Sequence, residues 1–430
     1  MIPVYRGQEA KQWLQQRNRA ADGLNNNQQI ENTVKTILNA VAKHGDSALV
    51  EIATRFGDPV PRCVLAGSAA ATAASSSISA EAQSTIEFAA ERINRFAQSI
   101  MSAIKPVRVQ FSEYQAGLDF KPVARVACYV PGGRYPLPST ALMTALTARA
   151  AGVKDIALFT PMLQPEIIFA GTLAGVNEFY EVGGAQAVAA AAFGTQTIKP
   201  VDMIVGPGNA YVTEAKRQVQ GIVGIDMLAG PSEIAVIADK NGIPEWICMD
   251  LLSQAEHDPD ARAYLFTDNA ELANAVIEEL PKVRSNLKLP DFIEESLGRS
   301  AIVLLDSLTE CVEAANAIAP EHLLLHVSEP QKMKSGLQNY GALFMGYNAT
   351  VPYGDYTAGP NHTLPTNGTA RFCGGLTPLT FLRTQSWIDV PAVARELSEK
   401  TSSFAKLEGL PAHDAAAAVR LRQIDAKANV

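Results

Sequence analysis

The chain has 430 residues, 47% of them apolar, which is enough for two or three domains with buried cores and removes any need for disulfides or metals simply to fold. A net charge of −8 and a pI near 5.4 argue against nucleic acid or an anionic membrane as the main partner, because both select for basic patches. The longest apolar runs fall short of a bilayer span and the first residues are too polar for a secretory signal, so a cytoplasmic protein acting on small molecules is expected.

In chain order, the first hundred residues read as helices. Asn27 to Lys43 sets Ile30, Val34, Ile37, Leu38 and Val41 on one face, and Ser79 to Met101 does the same with Ile86, Ala90, Ile93, Ala97 and Ile100. Between them, the Ala/Ser-rich stretch 69–77 reads as a connector or a weak helix. From Pro122, short apolar strands alternate with helices: ARVACYV, DIALFT, EFYEV and VDMIVG each precede a helical segment. A second series runs EIAVIAD, AYLFTD, AIVLLD, HLLLHV and ALFMG. Strict alternation predicts βαβ units, hence an α/β fold with two Rossmann-like parallel-sheet halves of similar size. That layout suggests an internal duplication, although no residue-level repeat is visible. Residues 348–368 form a loop-rich segment, and the chain closes on helices that include Asp414 to Ala428.

Several stretches carry residues suited to chemistry. In LLSQAEHDPDA, Gln254 and His257 stand three apart, so a helix continued through both would point an amide oxygen and an imidazole the same way, with Glu256 turned aside. Two ligands cannot fix a metal, so any remaining donors come from elsewhere. Five scattered cysteines without a CxxC pair fit a reducing compartment and leave only N and O ligands. Two glycine turns, Tyr129-Val130-Pro131-Gly132-Gly133 and Gly206-Pro207-Gly208-Asn209, follow strands. Each is either a plain turn or a place where backbone approaches an anion such as a pyrophosphate; Tyr211 rules out a complete G-x-G-x-x-G fingerprint. Glu321-His322 opens a strand, where the imidazole either caps the strand or handles protons. Asp355, between Gly354 and Gly359, is either an Asx-turn residue or an anionic ligand, and His362 lies in the same loop. Glu408 and His413 flank Leu410-Pro411 near the end, where His413 could also cap the last helix. Together Gln254, His257, Asp355 and His413 would offer one carboxylate, two imidazoles and one amide, a set suited to Zn²⁺.

Seven motifs in order then resemble the histidinol dehydrogenase family: Tyr129 to Gly133, Gly183-Gly184-Ala185-Gln186-Ala187, Gly206 to Val212, Gly230-Pro231-Ser232-Glu233, Ser253 to His257, Pro320-Glu321-His322, and Gly354-Asp355-Tyr356 through Asn361-His362. The likeness runs from about Pro122 to Ala418. It implies a zinc- and NAD-dependent oxidation of L-histidinol through L-histidinal to L-histidine. By the same resemblance, Gln254, His257, Asp355 and His413 match zinc ligands that also meet the substrate. Glu321 and His322 match the proton-handling pair, Ser232, His322 and Glu408 match substrate contacts, and Tyr129, Gln186 and Asn209 match NAD contacts. The family's homodimer implies that Glu408 and His413 complete the partner's site. The division expected on this basis is a helical extension at 1–24, one α/β domain from 25–128 and 232–375 holding metal and substrate, a second at 129–231 for NAD, and a helical tail at 376–430. The rivals are a related zinc- and NAD-dependent dehydrogenase of another small polar alcohol or diol, and a metal-dependent hydrolase; the hydrolase leaves the glycine turns and Gln186 without a task.

Overall fold

Central strands buried on both faces, alternating with helices, build two mainly parallel sheets with one strand order, described by a computed structural model over residues 2–17, 28–132, 136–392 and 394–428. In the first sheet the order is Glu178–Glu181, Asp155–Thr160, Arg125–Tyr129, Met203–Val205 and Gly224–Ile225. In the second it is Ala301–Leu304, Arg262–Thr267, Glu233–Ala238, His322–His326 and Ala342–Met345. Numbered within each half, both read 3-2-1-4-5, the doubly wound order with its switch point between strands 1 and 4. The duplication expected from the alternation is therefore visible as topology. Each sheet gains one further edge strand beside its third: Cys63–Leu65, antiparallel, in the first, and Val4–Arg6, parallel, in the second.

Local signals place the helices. The helices Pro138–Ala150, Pro165–Ala174, Pro244–Ala255 and Pro330–Lys334 each carry a proline in the first turn, where no intrahelical N–H is lost. Asn209, Asn269 and Ser307 cap the helices that follow them with side-chain oxygens. Ser68 does the same for Ala69–Ser77, which is a formed helix. Each sheet has its own apolar core. Ala127, Phe159, Val188 and Ile204 pack with one another in the first half; Val236, Leu251, Leu265 and Leu324 do so in the second.

The expected grouping of residues 25–128 with 232–375 does not hold as drawn. Val34, Ile37, Leu38, Val41, Leu49 and Ile52, from the helices Gln28–His44 and Asp46–Phe56, sit in the core of the first sheet, and Cys63–Leu65 is its edge. The long helix Ala80–Ala103 does reach the second half, where Ile93, Phe96, Ala97 and Ile100 line a cavity beside the segment 341–378. The region 1–24 is not purely helical either: Val4–Arg6 pairs with Ala301–Leu304 before the helix Gly7–Arg17 begins. The boundary at 24/25, Asn27 and Gly133 lie outside the described residues.

A second compact unit, Ser102–Pro122 with Leu382–Val430, corrects the helical tail. It contains an antiparallel sheet of Val107–Gln110, Gln115–Pro122 and Leu382–Asp389. Within it, Trp387 lies over Gly117, where a Cβ would stand 2.3 Å from the indole, and Arg108 stacks on the same ring. The Glu113 carboxylate accepts the backbone N–H groups of Glu396 and Leu397, capping the helix Arg395–Leu407. A hydrogen bond from Ser402 to Asp414 joins that helix to Pro411–Ala428.

Candidate active site

Parallel strands present all their amino ends along one edge, and the second sheet uses that edge. Glu233 and His322 are the first residues of neighbouring strands, and Ser232 and Glu321 stand just before them. The helix Pro244–Ala255 runs back to the same edge and delivers Gln254 in its last turn. His257 follows the helix end, its N–H reaching the Gln254 carbonyl at 3.3 Å. The helix therefore stops before His257, and a turn, not helical periodicity, places that exposed imidazole. The loop after Ala342–Met345 returns through one π-helical turn, Tyr353–Thr357, which carries Asp355; such turns recur at functional sites.

His322 is the hub. Its Nδ1 faces the Glu233 carbonyl at 3.3 Å and Gln254 Oε1 at 3.1 Å, with Glu321 Oε2 at 3.8 Å. Because a backbone carbonyl only accepts, Nδ1 carries the hydrogen, and the neutral ring keeps its lone pair on Nε2. That Nε2 is buried without a hydrogen-bond partner and lies 3.6 Å from Asp355 Oδ1. Burial opposes a charged imidazole, but Glu321 and Asp355 raise the His322 pKa above its ordinary value. Burial pushes the Glu321 carboxyl up to about 7 despite the His322 ring beside it. Burial also works against the Asp355 carboxylate, yet His322, His362 and His257 hold its pKa below the usual range. Beside these groups opens a cavity of about 500 Å³, with His322, Asp355 and His362 on its polar side and Phe96, Phe344 and Leu376 on its apolar side.

The first sheet offers its opposite edge. Tyr129 ends one strand, Gly183-Gly184 follows another, and Gly206 to Asn209 follows a third, so all three motifs gather at carboxyl ends around the switch point. Gly206 has φ +112, and a Cβ there would sit 2.1 Å from the Tyr129 carbonyl oxygen, so no side chain fits. The turn is clamped from beneath. Buried Lys216 donates to the Gly206 carbonyl at 3.0 Å and pairs with buried Asp226, which accepts the Gly206 N–H at 2.7 Å. The three side chains matched to NAD have partners of their own: the Tyr129 hydroxyl accepts the Gly184 N–H at 3.0 Å, Gln186 donates to Asp58 at 3.3 Å, and Asn209 caps the helix Ala210–Val219.

One loop joins the two edges. Asn361 donates to the Met143 carbonyl at 2.7 Å and to Thr147, on the helix Pro138–Ala150 of the first half. His362 sits 3.2 Å from the Thr140 hydroxyl through Nε2 and 2.8 Å from the Asp355 carbonyl through Nδ1. Thr140 stands in the first turn of the helix that leaves the first sheet's carboxyl edge, so this loop, bound through His362 to the Asp355 carbonyl, links that edge to the amino edge of the second sheet. Ser232, Gln254, Glu321 and His322 thus gather at the amino edge of the second sheet, with Asp355 beside His322 and His257 just past the helix end, while Tyr129, Gln186 and Asn209 lie at the carboxyl edge of the first. Glu408 and His413 belong to the second unit, both exposed in and after the turn between its helices. His413 lies inside the first turn of Pro411–Ala428 and is not its cap. Sequence reasoning missed Lys216, Asp226, Asp250 and Thr140. For Lys216 and Asp250 the available signal was a charge on an otherwise apolar helix face, and for Asp226 a charge just beyond a short apolar strand.

A family model of histidinol dehydrogenase matches residues 21–421. Among curated relatives, histidinol dehydrogenase 1 of Trichormus variabilis is 42% identical over 405 residues, covering 92% of this chain and 93% of the relative. Histidinol dehydrogenase of Methanopyrus kandleri is 40% identical over 410 residues, covering 91% and 93%. The crystal structure of histidinol dehydrogenase from Elizabethkingia anophelis superposes with a TM-score of 0.90 at 31% identity, covering 99% of each chain.

Proposed function

Because the chain belongs to the histidinol dehydrogenase family, and is thereby an oxidoreductase of histidine biosynthesis, we propose that it oxidises L-histidinol through L-histidinal to L-histidine, with NAD as hydride acceptor and one Zn²⁺ per subunit. The observation that carries this reading is His322: a buried imidazole whose Nδ1–H is engaged by the Glu233 carbonyl, leaving an unpartnered Nε2 beside Asp355.

The donors fit a zinc ion. Gln254 is 1% exposed and its side-chain nitrogen has no partner, which is costly unless the amide oxygen is needed at that spot. Asp355 stays ionised, and His257 lies close enough to favour its charge. Among the described residues no group of three or more His, Cys, Asp or Glu is arranged to hold a metal. The proposed set has only two such residues, His257 and Asp355, with the Gln254 amide as a third donor; the fourth, His413, would be lent by the partner copy. Gln254, His257, Asp355 and the partner's His413 would hold the ion, whose chemistry would be that of a template orienting the substrate's carbinol carbon. NAD would supply the hydride acceptor, and Tyr129, Gln186 and Asn209, at the carboxyl edge of the first sheet, are the residues that would hold it.

In the first step His322 Nε2 takes the hydroxyl proton as the carbinol carbon gives up its hydride. In the second, Glu321, poised near neutrality, takes a proton from the water that adds to the aldehyde, and the resulting hydrate gives up another hydride. Ser232 beside Glu321 and Glu408 hold polar groups of the substrate. Exposed Phe404, Leu407 and Leu410 flank Glu408 and His413, an apolar surface that supports a homodimer in which this turn completes the partner's site. Five free cysteines suit a cytoplasmic setting, and among the described residues no helix is long and apolar enough to cross a membrane. The test is purified protein with L-histidinol and NAD, followed by NADH absorbance with and without chelator. Two NADH per histidinol, lost on chelation and restored by zinc, supports the proposal; NAD reduction only with another alcohol refutes the substrate assignment.

A further inference from the structure

Gln254 and Asp355 must keep a fixed separation to share a cation, yet one ends a helix and the other sits in a loop. One link between them runs through His322, which touches Gln254 on one side and approaches Asp355 on the other. A second link lies one helical turn back. Asp250 precedes Gln254 by four residues, so both side chains leave the same face of the helix Pro244–Ala255. Asp250 is buried, and its Oδ1 accepts a hydrogen bond from the Thr350 hydroxyl at 2.6 Å. Thr350 lines the same cavity as His322 and Asp355. Its carbonyl accepts the Tyr353 N–H at 3.3 Å, and Tyr353 opens the π-helical turn that carries Asp355.

Helix and loop are therefore tied at two levels: Asp250 to Thr350, and Gln254 through His322 to Asp355. A single tether leaves the loop free to pivot about it; two set one turn apart remove that freedom. We propose that the Asp250–Thr350 hydrogen bond is a strut that positions the metal ligands Gln254 and Asp355, an inference that rests on the zinc reading above. The short bond is of the charge-assisted O–H···O⁻ kind, which is stiffer than a neutral one. Partners behind metal ligands act on metal affinity even though they touch neither metal nor substrate.

The experiment uses the full-length chain stripped of metal and measures zinc affinity by competition with a chromophoric chelator, alongside thermal melting of the metal-free protein. T350V and D250A are expected to bind zinc about 10- to 100-fold more weakly. T350S, which keeps the hydroxyl, and D250N, which keeps an acceptor oxygen, are expected to recover most of the affinity. If T350V and D250A lower the melting temperature but hold zinc as tightly as the parent chain, the pair is ordinary core packing and the strut is overturned. T350S binding as weakly as T350V overturns it as well, since the hydroxyl is then not the operative group. A parent chain that holds no zinc overturns the metal reading itself, a failure distinct from the other two.

Discussion

Replacing Lys216 by methionine keeps most of the side chain's length and removes its charge. In the parent chain the ammonium and the Asp226 carboxylate are 3% and 0% exposed, and between them they hold both the carbonyl and the N–H of Gly206. K216M strands a buried carboxylate and leaves the Gly206 carbonyl without its donor. Removing one partner of a buried pair costs about 3–5 kcal/mol, of which the lost acceptor pairing accounts for about 1–3 kcal/mol. Adding D226N to K216M removes the stranded charge, so the double variant is expected to be less damaged than the sum of the two single changes by about 2 kcal/mol or more. Denaturant unfolding of the four proteins reads that coupling. Steady-state kinetics reads the functional side: with the glycine turn loosened, KM for NAD should rise about tenfold, the equivalent of about 1.4 kcal/mol, while KM for histidinol stays put. A K216M chain that loses under about 1 kcal/mol and binds NAD normally would refute the clamp.

The remaining expectations can be checked on the same protein. G206A should cost more than about 2 kcal/mol, because its Cβ meets the Tyr129 carbonyl and φ is +112; a melting temperature unchanged from the parent contradicts this. E321Q should slow oxidation of the aldehyde by about 10²–10⁴ while sparing the first hydride transfer, so single-turnover traces should show one fast NADH and one slow; equal loss in both phases rules out the assigned role. Burial raises the Asp250 carboxyl from 3.8 to about 6. A folded-state pKa above the unfolded one stabilises below about pH 4, and that contribution is lost as pH rises through 6. The difference of roughly two pKa units is worth about 3 kcal/mol. The metal-free parent should therefore lose stability relative to D250N between pH 4 and 7, and a pH-independent difference between them argues against it. Mixed dimers of two inactive chains, H413A and H322N, should regain about a quarter of parental activity if sites are shared across a two-fold interface; no recovery would place each site within one chain.

How far the sequence reveals this molecule depends on whether a residue's role follows from its neighbours along the chain. Strands such as EIAVIA and HLLLH are buried on both faces and announce themselves as continuous apolar runs. Val107–Gln110 and Leu382–Asp389 do not, because their side chains are exposed or half-exposed and their pairing rests on backbone ladders. Grouping residues 25–128 with the wrong half follows from the same limit: the apolar stripe of Gln28–His44 says that it packs, not which sheet it packs on. At the site, Glu321 and His322 were legible as ionisable groups where a loop meets a strand, and Asp355 as a carboxylate in a glycine-framed loop. His257 was legible by type but misplaced by the assumption that the helix continues through it. Lys216 and Asp250 each interrupt a buried helix face, at Val212, Ala215 and Val219 in one case and Ile247, Leu251 and Gln254 in the other. A lone charge on such a stripe says that a partner exists, but Asp226 and Thr350 are found only in three dimensions.

The separate cores under the two halves bear on how such an enzyme can change. Ala127, Phe159, Val188 and Ile204 belong to one apolar cluster, and Val236, Leu251, Leu265 and Leu324 to another. On the proposed division of labour, substitutions that remodel which alcohol is accepted would strain the clusters of the second half and leave that of the first intact. Such drift would then be buffered by architecture, and the loop bearing Asn361 and His362, which bonds to the helix Pro138–Ala150, is where the two halves have to stay in register.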